Sequence, residues 1–139
     1  MNEQVSSITV RFNEVDTYGV AWHGHYVAWL EVGRNDLARR FDLDAAAIAA
    51  AGYLAPVVDL SLRFKRPARF GEELRVVTSA CRTESATIRF DGRIVNAAGG
   101  VCAVGTTIHA LTDREGTLQY RLPRAIEERL ERLFAWQEG

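Results

Sequence analysis

The sequence predicts an α+β fold in which an antiparallel sheet wraps around one long central helix. The helix is indicated by residues 26–41, where apolar side chains recur at helical spacing. Its apolar face is formed by Val27, Leu30, Leu37, Ala38 and Phe41. Several strand-like segments follow, and turn residues rather than long helices separate them. A long helix beside consecutive antiparallel strands buries its apolar stripe most simply against one face of their sheet.

The remaining elements follow from local signals along the chain. Residues 5–12 mix Val, Ile and Thr as a first strand, and residues 45–51, which Gly52 ends, suit a short second helix. Residues 59–65 alternate apolar and polar side chains, a half-buried strand pattern that breaks at Pro67 and Gly71. Further strands are expected at 73–82, 86–97 and 101–111, and a closing amphipathic helix is expected to begin at Pro123.

The composition indicates a globular protein with one domain, spanning residues 1–139. Hydrophobic residues make up 47% of the chain and charged residues 25%, which is ordinary for a packed core. No apolar run approaches the roughly 18 residues of a membrane span, and the N-terminus lacks a signal-peptide pattern, so we expect a cytoplasmic protein. The net charge of -1 argues against nucleic-acid and membrane partners. Cys81 and Cys102 lack metal-ligand spacing and are interpreted as reduced core or sheet residues.

The segment at residues 12–36 places an acidic side chain just before the predicted helix start. Asp16 lies in a turn that Gly19 closes, and the helix pattern begins soon afterwards. Residues 20–25 contain no Ser, Thr, Asp or Asn, which leaves Gly24 as the only passable N-cap. The first-turn N–H groups of the helix therefore need another acceptor. A substrate carbonyl is one candidate, and the Asp16 carboxylate, folding back as a cap, is the other.

This segment resembles the signature of hotdog-fold acyl-CoA thioesterases, in particular the 4-hydroxybenzoyl-CoA thioesterase-like group that includes the Tol-Pal-associated thioesterases. The matching positions are Asp16, Gly19, Val20, Trp22, His23, Tyr26, Val27, Trp29, Glu31 and Arg34. Residues 62–78 resemble the family's strand, Pro-Ala turn and following strand, so the resemblance covers nearly the whole chain. The chain departs from the family at Phe12, where a Tyr is frequent, and at His25, where an Asn is common. Both departures concern substrate preference.

The resemblance implies an enzyme that hydrolyses an acyl-CoA thioester to a free acid and coenzyme A. In the roles it implies, Asp16 is the general base or the nucleophile, and the amides of His23 and Gly24 are the oxyanion donors. Negative charge develops on the thioester carbonyl during hydrolysis, and N–H groups at a helix start stabilise it without reorganising. No cofactor is expected, because coenzyme A is part of the substrate. The resemblance also implies a homotetramer built as a dimer of dimers, which would cover the edges of a short sheet.

Aromatic side chains beside this segment are candidates for binding the acyl group. Phe12, Trp22 and Tyr26 lie close to the predicted site in the sequence, and Trp22 is the best candidate for lining an acyl or aryl pocket. Trp29 is interpreted instead as a core residue, because it belongs to the buried side of the predicted helix.

A run of cations is the clearest local charge imbalance in the chain. It consists of Arg63, Lys65, Arg66 and Arg69, with no acid among them. On a strand Arg63 and Lys65 point to one face, so they suit the phosphates of coenzyme A. Positive charge that protects a sheet edge from aggregation is an equal alternative. Arg121 and Arg124 are weaker candidates for the same phosphate contacts.

The histidines do not indicate a metal site. His23 and His25 form an H-x-H pair at the mouth of the helix, which does not place both rings on one face, and His109 is the only other histidine. We therefore expect no metal, and a structural role for His25 and His109. Glu31 and Arg34 are spaced as an intrahelical ion pair.

Two other functions share the same features. A thioesterase that acts on acyl carrier protein would use the same pantetheine arm, and a non-catalytic acyl-CoA-binding module would retain the ligand without turnover. A hydratase on the same fold is disfavoured, because the segment after Asp16 lacks the Asn-Pro expected of that class.

Overall fold

The computed structural model describes all 139 residues, Met1 to Gly139. The strands are β1 (Gln4–Thr9), β2 (Tyr53–Leu54), β3 (Val57–Phe64), β4 (Glu73–Cys81), β5 (Thr87–Asn96), β6 (Val101–Ala110) and β7 (Thr112–Asp113). The helices are α1 (His23–Arg39), α2 (Ala45–Ala50) and α3 (Arg124–Glu138). Five strands form one antiparallel sheet in the order β1-β4-β5-β6-β3, and β2 pairs with β7 in a small second sheet.

Helix α1 lies against one face of the five-stranded sheet and buries the apolar stripe that the sequence indicates. Trp29, Leu30 and Leu37 on the helix are each at most 8% exposed. The sheet residues beneath them are also buried, among them Val76 and Ile94. The prediction of an antiparallel sheet wrapped around a central helix, the hotdog arrangement, is therefore confirmed.

Helix α3 closes the end of the core that lies farther from the start of α1. Its apolar side contributes Ile126, Leu130, Leu133 and Phe134 to a second buried cluster around Leu37 and Phe90. The side-chain amide of Gln137 accepts a hydrogen bond from the Ala80 N–H at 2.6 Å and donates one to the Ala80 carbonyl at 2.9 Å. Because β1 pairs with β4 only as far as Thr78, Gln137 takes the place of a further strand residue.

The two edges of the large sheet are β1 and β3, and β3 is the more open. Every residue of β3 except Leu62 is exposed, including the apolar side chains of Val57, Val58 and Leu60. An unpaired strand with exposed apolar side chains is a surface on which another strand can pair. No helix is long and apolar enough to span a membrane.

Several element ends differ from the sequence-based prediction. Strand β1 stops at Thr9, and residues Phe12–Glu14 form a short 3-10 helix rather than the end of a strand. Helix α1 begins at His23, three residues before the periodic pattern of residues 26–41, and its N-cap is Trp22 rather than Gly24. The chain can begin the helix this early because the Trp22 amide is held by the Glu14 carbonyl at 2.9 Å, a contact between segments that the sequence alone does not reveal.

Candidate active site

Asp16 lies in a tight hairpin that leads directly into α1. Val15 and Ala21 pair across the hairpin, and Gly19 closes it with a positive φ of 75°. The Asp16 Oδ1 atom accepts a hydrogen bond of 2.8 Å from the Tyr18 amide, and Oδ2 has no partner within the chain. No side chain caps α1. Asp16 therefore stabilises its own turn, and the alternative in which it caps the helix is not the observed arrangement.

The start of α1 carries two amides without an acceptor. The His25 amide donates to the Trp22 carbonyl at 3.0 Å, but the amides of His23 and Gly24 have no acceptor within the chain. Unpaired first-turn N–H groups and the positive end of the helix dipole together favour an oxygen that carries negative charge. The two residues predicted as oxyanion donors are thus the two whose amides are free.

Gly24 is required at this position by the indole of Trp22. A Cβ atom on Gly24 would overlap the six-membered ring of Trp22, which packs directly over the glycine. The Trp22 ring is half exposed and lies 4.9 Å from the His23 ring and 5.5 Å from the His25 ring, between centroids. Trp22 therefore covers the helix start on one side while remaining accessible on the other.

Glu14 is a buried residue of the site that the sequence analysis missed. Only 3% of it is exposed, and its carboxylate accepts hydrogen bonds from the Arg11 amide at 2.7 Å and from the Trp29 indole at 3.1 Å. Burial raises the pKa of Glu14, but these hydrogen bonds outweigh it and leave the pKa below the ordinary glutamate value. A buried indole N–H needs a hydrogen-bond acceptor. The predicted burial of Trp29 could therefore have indicated an acceptor such as the Glu14 carboxylate nearby.

Tyr26 and Phe12, two of the aromatic residues predicted to bind substrate, have different surroundings. Tyr26 is 3% exposed, and its hydroxyl accepts a hydrogen bond of 3.0 Å from the Ala68 amide. Burial raises the pKa of Tyr26, so its phenol stays protonated. Phe12 is 78% exposed and contacts Phe70 edge to face, with ring centroids 5.8 Å apart. Tyr26 thus lies behind the helix start, whereas Phe12 lies on the surface.

The cations of residues 63–69 lie next to the Asp16 hairpin. The Ala21 amide donates to the Ala68 carbonyl at 2.7 Å, and Val20 forms a β-bridge with Arg69. All four cations are exposed, and none has an acidic partner within 4.0 Å. Strand β3 ends at Phe64, so the prediction that Lys65 continues the strand face of Arg63 is wrong. The chain bends there because the amides of residues 65 and 66 both donate to the Cys102 carbonyl.

The remaining polar candidates have structural partners. The two ring nitrogens of His109 contact the Ala55 carbonyl at 3.0 Å and the Thr107 hydroxyl at 3.2 Å, and burial lowers the pKa of this histidine. Glu31 and Arg34 form the predicted intrahelical pair, with 2.8 Å between Oε1 and Nη2. His, Cys, Asp and Glu side chains form no cluster of three that suits a metal ion.

A cavity of about 230 Å³ lies between α1 and the β3 side of the sheet. Its helix wall includes Val27 and Leu30, which lie one and two turns beyond the free amide of His23. Its sheet wall includes Leu60 and Phe90. Most of the cavity surface is apolar, although Glu31, Arg34 and Asp91 also border it, and the cavity begins one turn into the helix. It therefore suits a hydrophobic group attached to a carbonyl bound at the helix start.

The chain is similar in sequence to several known proteins. The model of the thioesterase-like superfamily matches residues 10–130 of the chain. YneP of Bacillus subtilis (strain 168), provisionally named an acyl-CoA thioesterase, is 30% identical over 123 residues, which are 87% of this chain and 89% of that protein. YbgC of Escherichia coli O6:H1, named an acyl-CoA thioester hydrolase, is 28% identical over 90 residues, which are 65% of this chain and 67% of that protein.

Solved structures show the same fold. The hypothetical protein TT1821 from Thermus thermophilus has a TM-score of 0.83 and 36% identity, covering 94% of this chain and 99% of its own. The DHNA-CoA thioesterase from Staphylococcus aureus has a TM-score of 0.85 and 23% identity, covering 99% of this chain and 95% of its own. Because the family model matches most of the sequence, the chain belongs to the thioesterase-like superfamily.

Proposed function

We propose that the protein hydrolyses acyl-CoA thioesters to a free acid and coenzyme A. The observation that carries this proposal is the pair of free amides at His23 and Gly24, next to a hairpin that holds a carboxylate with one unpartnered oxygen. Family membership and the relatives named as acyl-CoA thioesterases or thioester hydrolases support the same reaction class. In this proposal residues 1–139 act as one hotdog thioesterase domain.

The proposed chemistry begins with the thioester carbonyl at the start of α1. Its oxygen accepts hydrogen bonds from the amides of His23 and Gly24, which stabilise the negative charge of the tetrahedral intermediate. Asp16 then acts in one of two ways. As a base it removes a proton from the attacking water, and the tetrahedral intermediate then expels the coenzyme A thiolate, which takes up that proton. As a nucleophile it attacks the carbonyl carbon and displaces the coenzyme A thiolate, leaving a mixed anhydride that water cleaves. Neither route requires a metal or a redox cofactor.

Substrate binding is proposed at three places around this centre. Trp22 is half exposed beside the helix start, where it can contact the acyl or pantetheine portion. Phe12 can contact the substrate from the exposed side of the hairpin, and Tyr26 supports the site from the core through Ala68. The exposed cations Arg63, Lys65, Arg66 and Arg69 are proposed to bind the phosphates of the nucleotide.

The proposed assembly is a homotetramer in the cytoplasm, a dimer of dimers. The exposed edge strand β3 supports pairing with a second copy, because its free backbone groups and apolar side chains remain unburied in one chain. Pairing at β3 would also cover the open side of the cavity between α1 and the sheet, which β3 borders.

The direct test of this function is thiol release from a panel of acyl-CoA thioesters, assayed beside the same acyl groups on acyl carrier protein. Turnover of acyl-CoA by the purified protein is the expected result. Turnover restricted to acyl carrier protein would favour the carrier-protein alternative. Tight binding without release of thiol would indicate a binding module and contradict the proposal.

A further inference from the structure

The side chain of Leu30 is seated on two neighbouring glycines of the sheet. Gly92 on β5 and Gly105 on β6 are directly opposite in register, and both face α1. A Cβ atom on Gly92 would lie 2.7 Å from Leu30 Cδ2, and one on Gly105 would lie 2.6 Å from Leu30 Cδ1. The two methyl groups of Leu30 therefore occupy space that exists only because both sheet positions lack side chains.

The same three residues form one wall of the 230 Å³ cavity between α1 and β3. On the helix side the cavity is bordered first by Val27 and then by Leu30, and on the sheet side it continues towards Phe90 and Thr107. The cations of residues 63–69 lie on the hairpin side of the helix start, which leaves the cavity for the acyl group. An acyl group bound there passes beside Leu30.

We propose that Leu30, seated on the Gly92–Gly105 pair, determines which acyl groups the cavity admits. This inference rests on the proposed thioesterase function and assigns a specificity residue within it. Leu30 lies seven residues beyond His23 on the helix, roughly 10 Å along its axis, so it acts on the size of the acyl group and not on the reacting atoms. Its methyl groups can lie either in the recess above Gly92 and Gly105 or in the cavity. Their position sets the width of the cavity that remains for the acyl group.

Two opposite substitutions change this width. Leu30→Ala removes the methyl groups and enlarges the cavity. Gly92→Ala places a methyl group 2.7 Å from the present position of Leu30 Cδ2, which is too close for two carbon atoms. The nearest atom outside Leu30 is the Val77 carbonyl oxygen, at an ordinary contact distance of 3.9 Å. Gly92 has no positive φ, so alanine is compatible with the backbone. The methyl groups of Leu30 must then move out of the recess. The adjacent free space is the cavity, so the displaced side chain narrows it.

The experiment measures kcat/KM for acetyl-, hexanoyl-, decanoyl- and benzoyl-CoA in both variants, with Val32→Ala on the exposed side of α1 as the matched control. Leu30→Ala is expected to raise the preference for bulky over short acyl groups, and Gly92→Ala is expected to lower it. Each shift should be roughly 10-fold or more, because one methylene in an apolar pocket changes discrimination by about that factor. The double variant Leu30→Ala/Gly92→Ala should return towards the wild-type profile, since the methyl group added at position 92 occupies part of the space that the leucine side chain vacates.

An acyl profile unchanged in folded Leu30→Ala and Gly92→Ala, while acyl-CoA is still hydrolysed, would overturn this inference and leave the proposed function intact. Absence of acyl-CoA hydrolysis by the wild-type protein would instead overturn the proposed function. If Leu30→Ala does not fold, Leu30→Val removes one methylene from the same wall and must shift the profile in the same direction. An unshifted profile in the folded valine variant would equally contradict the proposal.

Discussion

At the scale of single residues, Glu14 connects the hairpin of Asp16 to the start of α1. Its backbone carbonyl holds the Trp22 amide, and its carboxylate holds the indole of Trp29 on the helix. The amides proposed as oxyanion donors follow Trp22 immediately. The geometry of these amides therefore depends on a buried residue whose carbonyl and carboxylate both bond to the helix segment.

Replacing Glu14 by Gln should destabilise the protein by about 1–3 kcal/mol at neutral pH. Gln replaces one acceptor oxygen with an NH₂ group, which leaves a buried donor without its partner. Because the pKa of Glu14 is lowered in the folded state, its stabilisation is fully present above the ordinary value of 4.5 and is lost as the pH falls through the lower folded-state pKa. Urea unfolding of both proteins should show a difference that is constant above about pH 5 and shrinks at lower pH. Equal stability of the two proteins at pH 7 would contradict this role.

The sequence nominates Asp16, His23 and Gly24 as candidates, because the family resemblance and the absence of a capping side chain are properties of one continuous segment, and their catalytic roles stay predictions. It was not sufficient for Glu14 or for the burial of Tyr26. Those features depend on contacts between segments far apart in the chain, such as Tyr26 with Ala68. A hydrogen bond of this kind leaves no periodic pattern in either segment.

At the scale of elements, α3 is joined to the sheet through Gln137. Replacing Gln137 by Ala should lower the free energy of unfolding by about 1–3 kcal/mol, because the buried N–H and carbonyl of Ala80 would lose their partners. Arg132→Ala, an exposed position of the same helix without an ion pair, is the matched control and should change stability by less than about 0.5 kcal/mol. Urea denaturation of both variants measures the difference. Similar values for the two would show that the Gln137 contact contributes nothing.

The basic segment at residues 63–69 is the second element with a testable role. Arg66→Gln combined with Arg69→Gln should raise KM for acyl-CoA far more than KM for the matching acyl-pantetheine, which lacks the nucleotide. Added salt should have a similar effect on the wild-type protein, since exposed charge pairs are screened. Arg132→Gln, a distant exposed cation, is the control. Equal losses on both substrates would count against a role in binding the nucleotide, and unchanged KM values for both would favour the alternative that the charges only protect a sheet edge.

The order of elements was predictable because each long element has its own period. The ends were less predictable, since they are set by tertiary contacts. The small sheet formed by β2 and β7 was missed, because strands of two residues are too short to show alternation. The alternation of apolar and polar residues continues through Lys65, which therefore was predicted to lie on the strand. The strand ends at Phe64 instead, because the amides of residues 65 and 66 both donate to the Cys102 carbonyl and the chain bends there.

At the scale of the whole molecule, the open edge at β3 leads to a prediction about assembly. Light scattering coupled to size exclusion should give a mass of at least two chains, and of four if the dimers pair. Val58→Lys places a charge on the exposed edge, where Val58 is 60% exposed, and should reduce the mass at equal protein concentration. Leu118→Lys, an exposed apolar position outside β3, should leave the mass unchanged. A stable, active wild-type monomer would contradict the proposed assembly.

The central claim is that Asp16 performs the chemistry at the start of α1, and one substitution tests it most directly. Asp16→Asn keeps a side-chain oxygen that can accept from the Tyr18 amide, so the hairpin and the melting temperature should change little. The loss of the carboxylate should nevertheless lower kcat for acyl-CoA by about 10²-fold or more. The measurement is kcat of the folded Asn variant, with its thermal unfolding recorded beside it. Turnover close to wild type would show that Asp16 is neither base nor nucleophile.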